Sequence, residues 1–428
     1  MSPSPLSPLP PLLEQAATRN RWLRARLDGV LPALMARANL DMWIVAAREY
    51  NEDPVIMSLI PAPELSARRR TILVFTRQPD GSVERLTLGR YAYAGVGPQD
   101  AGLYQNAWNP DEEHQDACLR RIVAARSPRR IGVNVSRTFA FADGLSHQEH
   151  ERLVVALGPE LSVRLVSAEA LAVGWLEQRT PDELAAYPGL VALGHQLIRR
   201  AFSREAITPG VTTAEELIWW MRQAMHDHGL PAWFQPDIAI QASGQRYDDP
   251  EPRAVIQPGD LLWCDVGFEA LGLCTDQQQH AYLLRDGESE APAGLRAALA
   301  AGNRLQDILL GEMRPGRTGN EVLRAARAGA AAAGLTPSIY THPLGNHGHA
   351  AGPTIGLWDA QEGVPGGGDY PLYDETVYSI ELNVRLAVPE WDGQEVRIAL
   401  EEDAALTGGA MRWLDGRQEA LILIRCDP

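Results

Sequence analysis

Three strand-like segments in the second half of the chain carry carboxylates where a strand normally places apolar residues, and nothing else in the sequence restricts the fold as much. In Leu261-Leu262-Trp263-Cys264-Asp265-Val266-Gly267-Phe268, Asp265 sits inside a run too apolar for a surface edge, where an unpaired charge would be costly. Asp276 follows a Gly-containing turn at Leu271-Gly272-Leu273, at a separation expected of neighbouring positions on a hairpin, so the two carboxylates can converge. The anomaly recurs in Thr376-Val377-Tyr378-Ser379-Ile380-Glu381-Leu382 and in Val396-Arg397-Ile398-Ala399-Leu400-Glu401-Glu402. Strict alternation along the last strand puts Glu402 on the face of Val396, Ile398 and Leu400 and leaves Glu401 on the face of Arg397. Glu402 is therefore the preferred inward carboxylate.

Four carboxylates aimed at one place repel unless cations neutralise them. Two divalent ions would balance four negative charges, and an oxygen-rich site with one imidazole suits Mn²⁺, Fe²⁺, Co²⁺ or Zn²⁺. The imidazole is expected from Thr341-His342-Pro343-Leu344-Gly345-Asn346-His347-Gly348-His349, which concentrates three of the ten histidines.

Composition removes several alternatives. All 39 basic residues are Arg and none is Lys, which excludes a lysine Schiff base, a P-loop lysine and a Ser–Lys dyad. A net charge of -16 opposes contact with a phosphate backbone, so nucleic acid is not expected as a partner. No stretch approaches the ~20 apolar residues that cross a bilayer, and the Pro-rich start lacks the basic and apolar regions of a signal peptide. The four cysteines have no CxxC spacing, which fits a reducing, cytoplasmic compartment.

At 428 residues the chain is expected to form two domains. Residues 20–38 read as an amphipathic helix, and 42–46, 71–75 and 130–135 as buried strands. With helical stretches at 111–125 and 147–157, these make an α/β domain over residues 1–175. Thr180-Pro181-Asp182-Glu183 is a capping box with Pro at the first helical position, so a long helix opens the second domain, 176–428. Within it, Pro209-Gly210-Val211-Thr212-Thr213-Ala214-Glu215 and Pro315-Gly316-Arg317-Thr318-Gly319-Asn320-Glu321 share the pattern PGxTxxE between helical stretches. This internal repeat predicts a duplicated half, with Thr212 and Glu215, or Thr318 and Glu321, capping the second helix of each copy. Trp219 and Trp220 read as core residues of the first copy.

Asp265-Val266-Gly267, Asp276, His342-Pro343-Leu344-Gly345 with His349, Ser379-Ile380-Glu381 and Glu402-Asp403 together resemble the creatinase/aminopeptidase metallopeptidases, and the first half resembles the N-terminal domain of their Xaa-Pro aminopeptidase and prolidase branch. The resemblance implies an α/β (α+β) protein, a creatinase-like α/β domain followed by a pita-bread catalytic domain with an internal pseudo-twofold repeat. It implies two divalent ions, Mn²⁺ first, held by Asp265, Asp276, His342, Glu381 and Glu402, with Asp276 and Glu402 bridging. A metal-bridging hydroxide would then attack the scissile carbonyl. Glu381 would shuttle the proton, His349 would bind the substrate or tetrahedral intermediate, and His347 would stand near the substrate or replace His342 as ligand. The implied protein is a cytosolic homodimer cleaving short peptides or dipeptides, including Xaa-Pro.

Two departures from the family pattern bear on substrate choice more than on the ligands. Tyr247 and Asp248 stand where most relatives carry a substrate-facing histidine, and the second Asp is followed by Gln277-Gln278-Gln279-His280 in place of a Thr- or Arg-containing stretch. Two other readings stay open on the sequence: a catalytically silent peptide- or partner-binding protein of the same fold, and a C–N hydrolase of a small non-peptide substrate.

Overall fold

The computed structural model describes residues 9–90, 93–245 and 254–425 together with Leu6, so Tyr247 and Asp248 lie outside the described residues. The chain divides into two compact units, one over Pro10–Glu183 and one that begins at Leu184.

In the first unit the apolar run at 42–46 becomes the strand Met42–Arg48 (β1), buried at every residue except Arg48. A strand buried on both faces must lie inside its sheet. It does: with Arg70–Arg77 (β2), Val83–Thr87 (β3), Gln105–Asn106 (β4), Ile131–Val133 (β5) and Leu165–Ser167 (β6) the order is β4-β3-β2-β1-β5-β6. β1 pairs antiparallel with β2 and parallel with β5. Met42, Ile44 and Ala46 share a core with Leu119, Ile122 and Leu153 from the helices Gln115–Arg126 and His147–Leu157. The helix expected over 20–38 begins earlier, as one helical run through Leu12–Ala25, Arg26–Val30 and Leu31–Arg37.

Arg26, in the wider middle turn of that run, is buried and pairs with Glu183 at 3.1 Å, while donating to the carbonyls of Gln178 at 2.6 Å and of Trp175. Glu183 also closes the expected capping box. The Thr180 amide donates to its carboxylate at 2.6 Å, and its own amide donates to Thr180 Oγ1 at 3.2 Å, opening the helix Pro181–Ala201.

The second unit repeats one plan. Helices Pro181–Ala201 and Ala214–Asp227 precede Asp237–Gln241 (β7), Leu261–Val266 (β8), Glu269–Ala270 (β9), Leu273–Cys274 (β10) and Gln277–Leu283 (β11). Helices Ala293–Glu312 and Gly319–Ala332 precede Pro337–Ile339 (β12), His342–Leu344 (β13), Thr376–Ser379 (β14), Leu382–Val388 (β15), Gln394–Leu400 (β16), Asp403–Thr407 (β17), Ala410–Trp413 (β18) and Ile422–Ile424 (β19). The larger sheets run β19-β11-β8-β7, β12-β15-β16 and β13-β14-β17-β18. Helix Ala293–Glu312 packs tightly on β16: a Cβ on Gly302 would meet Leu400 Cδ1 at 2.8 Å, so a larger residue there would have to displace the Leu400 side chain.

The repeat caps its helices as expected in one copy and one residue later in the other. Thr318 and Glu321 form the capping box of the second copy. In the first, Thr213 and Glu216 do so, and Thr212 Oγ1 instead accepts from the Thr208 amide at 2.8 Å, tightening a longer turn. Trp219 is not a core residue as expected. Leu217 and Met221 form the buried stripe of Ala214–Asp227, and Trp219, two positions from each, points outward at 59% exposure. Trp220 is half-buried, its ring 5.5 Å from the Arg200 guanidinium.

Candidate metal centre

The hairpin expected between Asp265 and Asp276 forms through β8 and β11, with Gln278 opposite Asp265 and Gln277 opposite Val266. Asp276 lies just before β11, so both carboxylates reach the same end of the pair. β13 and β14 bring His342 opposite Ser379, and the chain leaves β14 at Ile380 with Tyr378 and Ile380 in the core. The intervening Ser379 is thereby directed away from that core, its hydroxyl donating to Glu401, and Glu381 follows half-buried.

Ligand atoms of Asp265, Asp276 and Glu401 lie within 4.8 Å of one another, as do those of His342, Glu381 and Glu401, and those of Asp276, His342 and His349. Four of the five expected ligand residues therefore come together. Glu401, not Glu402, completes the cluster. The alternation argument fails because the strand it followed ends at Leu400, and Asp403 begins β17 in another sheet. The two residues between are turned by the switch, and Glu401 forms an isolated bridge to Gln278. Glu402 is wholly buried elsewhere. It meets His195 Nε2 at 2.6 Å, accepts from Gln279 Nε2 at 2.8 Å and from the Gln418 amide at 3.0 Å, while His195 Nδ1 lies 2.8 Å from Asp415.

Burial, then the charges of Glu401 and Asp237, push Asp265 well above the usual carboxylate range. Burial, then Glu401 and Asp265, do the same to Asp276 and to Glu381. His342 Nδ1 lies 3.1 Å from the Pro343 carbonyl, and donating its N–H there leaves Nε2 with a lone pair directed at the carboxylates. His342 Nε2, Asp265 Oδ1 and Asp276 Oδ1 are buried with no hydrogen-bond partner. Unpaired lone pairs among crowded carboxylates are what a divalent cation satisfies, so these residues fit a metal. Asp403, behind Asp276, accepts from the Asp276 amide at 3.3 Å and holds that turn.

His349 lies at the rim, exposed, its ring 4.7 Å from that of His342 and 5.1 Å from that of Trp233. Burial of part of the ring and the neighbouring His342 push its pKa down to about 4. Trp233, which no motif in the sequence marks, rests on Gly348: a Cβ there would meet the indole at 2.3 Å. With Phe234 and Tyr340 it forms an aromatic wall beside His349. His347 is half-buried and belongs to none of the three ligand groups.

His195 is a further residue that the sequence does not single out, since nothing near it in the chain distinguishes it. Burial opposes its charge, but the hydrogen bonds and charges of Glu402 and Asp415 outweigh this and raise its pKa. A raised folded-state pKa stabilises below the unfolded value of about 6.5, and that contribution is lost as pH rises through the folded pKa. We therefore expect His195→Gln to cost about 3 kcal/mol near pH 6 by breaking a buried pair. The deficit should shrink with rising pH in urea titrations.

A ring of buried and half-buried carboxylates and one imidazole, on a duplicated pita-bread scaffold of helix pairs and antiparallel sheets, defines a metal-dependent hydrolase. The model of metallopeptidase family M24 matches residues 191–411, just over half of the chain, and the chain belongs to this family. No curated protein matches the chain. Among solved structures, the X-Pro aminopeptidase from Thermotoga maritima superposes with a TM-score of 0.62 at 14% identity, over 90% of this chain and 98% of that one. A dipeptidase from Mycobacterium ulcerans gives 0.61 at 18% identity over 95% and 99%, and an Xaa-Pro dipeptidase from Bacillus anthracis 0.59 at 16% over 95% and 99%. At these identities the likeness establishes the fold. No described helix is long and apolar enough to cross a membrane.

Proposed function

We propose that this chain is a metal-dependent exopeptidase that removes the N-terminal residue of a short peptide or splits a dipeptide, Xaa-Pro included, using Asp265, Asp276, His342, Glu381 and Glu401 as its metal ligands. The carrying observation is the convergence of two buried carboxylates, Asp276 and Glu401, two half-buried ones, Asp265 and Glu381, and the His342 imidazole, with Asp265 Oδ1, Asp276 Oδ1 and His342 Nε2 left without a hydrogen-bond partner. The names of the similar solved structures, aminopeptidases and dipeptidases, support the exopeptidase reading. Two divalent ions, Mn²⁺ in preference to Co²⁺, Zn²⁺ or Fe²⁺, are assigned to the site on the balance of charge. When bound they supply Lewis acidity that activates water and polarises the scissile carbonyl.

The protein's own residues do the rest. Glu381, a half-buried member of the ring, carries the proton to the leaving amine. His349, neutral through the physiological range, hydrogen-bonds the substrate, and the Trp233, Phe234 and Tyr340 wall accepts an apolar side chain. The chemistry resides in the domain spanning 176–428, and the domain spanning 1–175 is its companion. The enzyme acts in the cytoplasm as a homodimer.

Chelator-stripped protein reconstituted with Mn²⁺ is expected to release free amino acid from a panel of Xaa-Pro and Xaa-Xaa peptides, and to lose that activity on renewed chelation. Silence across the panel with Mn²⁺, Co²⁺ and Zn²⁺ refutes the proposal. His349→Ala should lower kcat/KM by about a hundredfold while leaving Mn²⁺ binding intact, the scale of a lost transition-state donor.

A further inference from the structure

β16 is the outer strand of its sheet, so every second N–H along it faces away from β15 and needs another partner. The outward amides are those of Arg397 and Ala399, and of Glu401 just past the strand's end. Only the last meets a backbone: Glu401 and Gln278 exchange hydrogen bonds at 2.9 and 3.2 Å. The Ala399 amide donates to His280 Nε2 at 3.1 Å. The Arg397 amide donates to Gln241 Oε1 at 2.9 Å, and Gln241 Nε2 donates back to the Arg397 carbonyl at 2.7 Å. Two side chains, one from β11 and one from β7, thus take the place of a neighbouring strand. The gap along β16 opens as a wedge, from backbone contact at Glu401 to the width of an imidazole at Ala399 and of an amide side chain at Arg397.

His280 is wholly buried, and its partners fix its tautomer. A backbone amide only donates and a carbonyl only accepts, so Nε2 accepts from Ala399 while the Nδ1–H donates to the Leu262 carbonyl of β8 at 3.1 Å. Burial pushes the pKa down to about 4, which keeps the ring neutral and Nε2 an acceptor. Gln418 clasps the backbone of the same residue, accepting from its amide at 2.7 Å and donating to its carbonyl at 2.6 Å. Alternation along β11 puts His280 on one face with Gln278 and Tyr282. Gln278 Nε2 reaches Glu401 Oε2 at 2.7 Å, and Tyr282 joins the core with Ile398 and Leu400. The imidazole therefore stands where the carboxylate ring gives way to that core. Leu262 is three residues before Asp265, and Ala399 two before Glu401.

Resting on the metallopeptidase reading, we infer that His280 and Gln241 are positioning residues, which span the wedge and hold the strand leading into Glu401 at the spacing from β8 that lets Glu401 meet Asp265 and Asp276. Both act through backbone groups, those of Leu262, Ala399 and Arg397. The histidine that ends Gln277-Gln278-Gln279-His280, part of a departure from the family pattern, thereby serves the centre without joining it.

The test titrates Mn²⁺ alone into full-length, metal-free protein by calorimetry, with urea unfolding of the same samples. His280→Phe keeps a ring and removes both hydrogen bonds. It is expected to bind Mn²⁺ at least tenfold weaker, roughly the size of effect that partners behind metal ligands exert. His280→Gln retains a donor and an acceptor and should recover most of the affinity. Gln241→Met, which keeps the length and loses the clasp on Arg397, should weaken Mn²⁺ binding in the same direction, and it decides the matter should His280→Phe not fold. A merely structural role lowers the urea midpoint and leaves the affinity of the folded protein at the wild-type value. That result in His280→Phe and Gln241→Met, with Mn²⁺ bound by the wild type, overturns the inference. Absence of Mn²⁺ binding by the wild type itself overturns the metallopeptidase reading, and so separates the two failures.

Discussion

Glu401→Gln is expected to remove tight Mn²⁺ binding and to lower peptidase kcat/KM by about a thousandfold, whereas Glu402→Gln should leave Mn²⁺ bound and instead destabilise the fold. The first expectation follows from Glu401's place in two of the ligand groups, with Asp265 and Asp276 on one side and His342 and Glu381 on the other. A neutral amide there removes the charge on which both depend. Loss of metal-supplied charge stabilisation is worth several kcal/mol, and each 1.36 kcal/mol is tenfold in rate. The second follows because Glu402 is wholly buried against His195, so its neutralisation leaves the raised His195 cation facing Asp415 alone. That loss is about 3 kcal/mol, the cost of breaking a buried pair. Metal content, kinetics and urea unfolding of the two variants decide the matter. If Glu402→Gln loses the metal and Glu401→Gln retains it, Glu402 is the ligand and Glu401 is not.

Arg26→Met should be the most damaging single change in the first unit, costing about 3 to 5 kcal/mol. The Arg26 and Glu183 side chains are only 4% and 3% exposed. Burial pushes the Arg26 guanidinium down to about 10, against the opposing pull of Glu183. Although burial works against the charge of Glu183, Arg26 and Arg179 hold it below the usual carboxylate range. A depressed carboxylate stabilises above its unfolded pKa, and that contribution disappears as pH falls through the folded value. The wild-type advantage over Arg26→Met should therefore be full at neutral pH and decline in acid. A variant as stable as the wild type at pH 7 in urea would show the pair to be dispensable.

Much of the fold and of the metal ring is legible in the amino-acid sequence. Apolar runs such as 42–46 announce buried strands, because a strand covered on both faces needs no polar alternation. Thr180 to Glu183 announces a helix start, because its capping bonds are local. Asp265, Asp276, His342 and Glu381 stand out because charge inside an apolar strand, or imidazoles clustered beside glycine and proline, demand a partner. Other features are hidden for equally physical reasons. Trp233 reaches the rim of the site through Gly348, and His195 reaches Glu402 from a helix, both through contacts between segments distant in the chain. Trp219 misleads because an aromatic residue in an amphipathic helix is buried only if it falls on the stripe.

The carboxylates of the second unit show where the division lies. Sequence by itself determined that buried negative charge had to be gathered and neutralised, since the cost of an unpaired carboxylate in an apolar strand does not depend on the strand's neighbours. Only the tertiary structure decided which of two adjacent glutamates joins the ring. Alternation holds within a strand, and between Leu400 and Asp403 the chain passes from one sheet to another. At that crossing Glu401 turns to Asp276 and His342, Glu402 turns to His195, and Gln278 enters among the carboxylates.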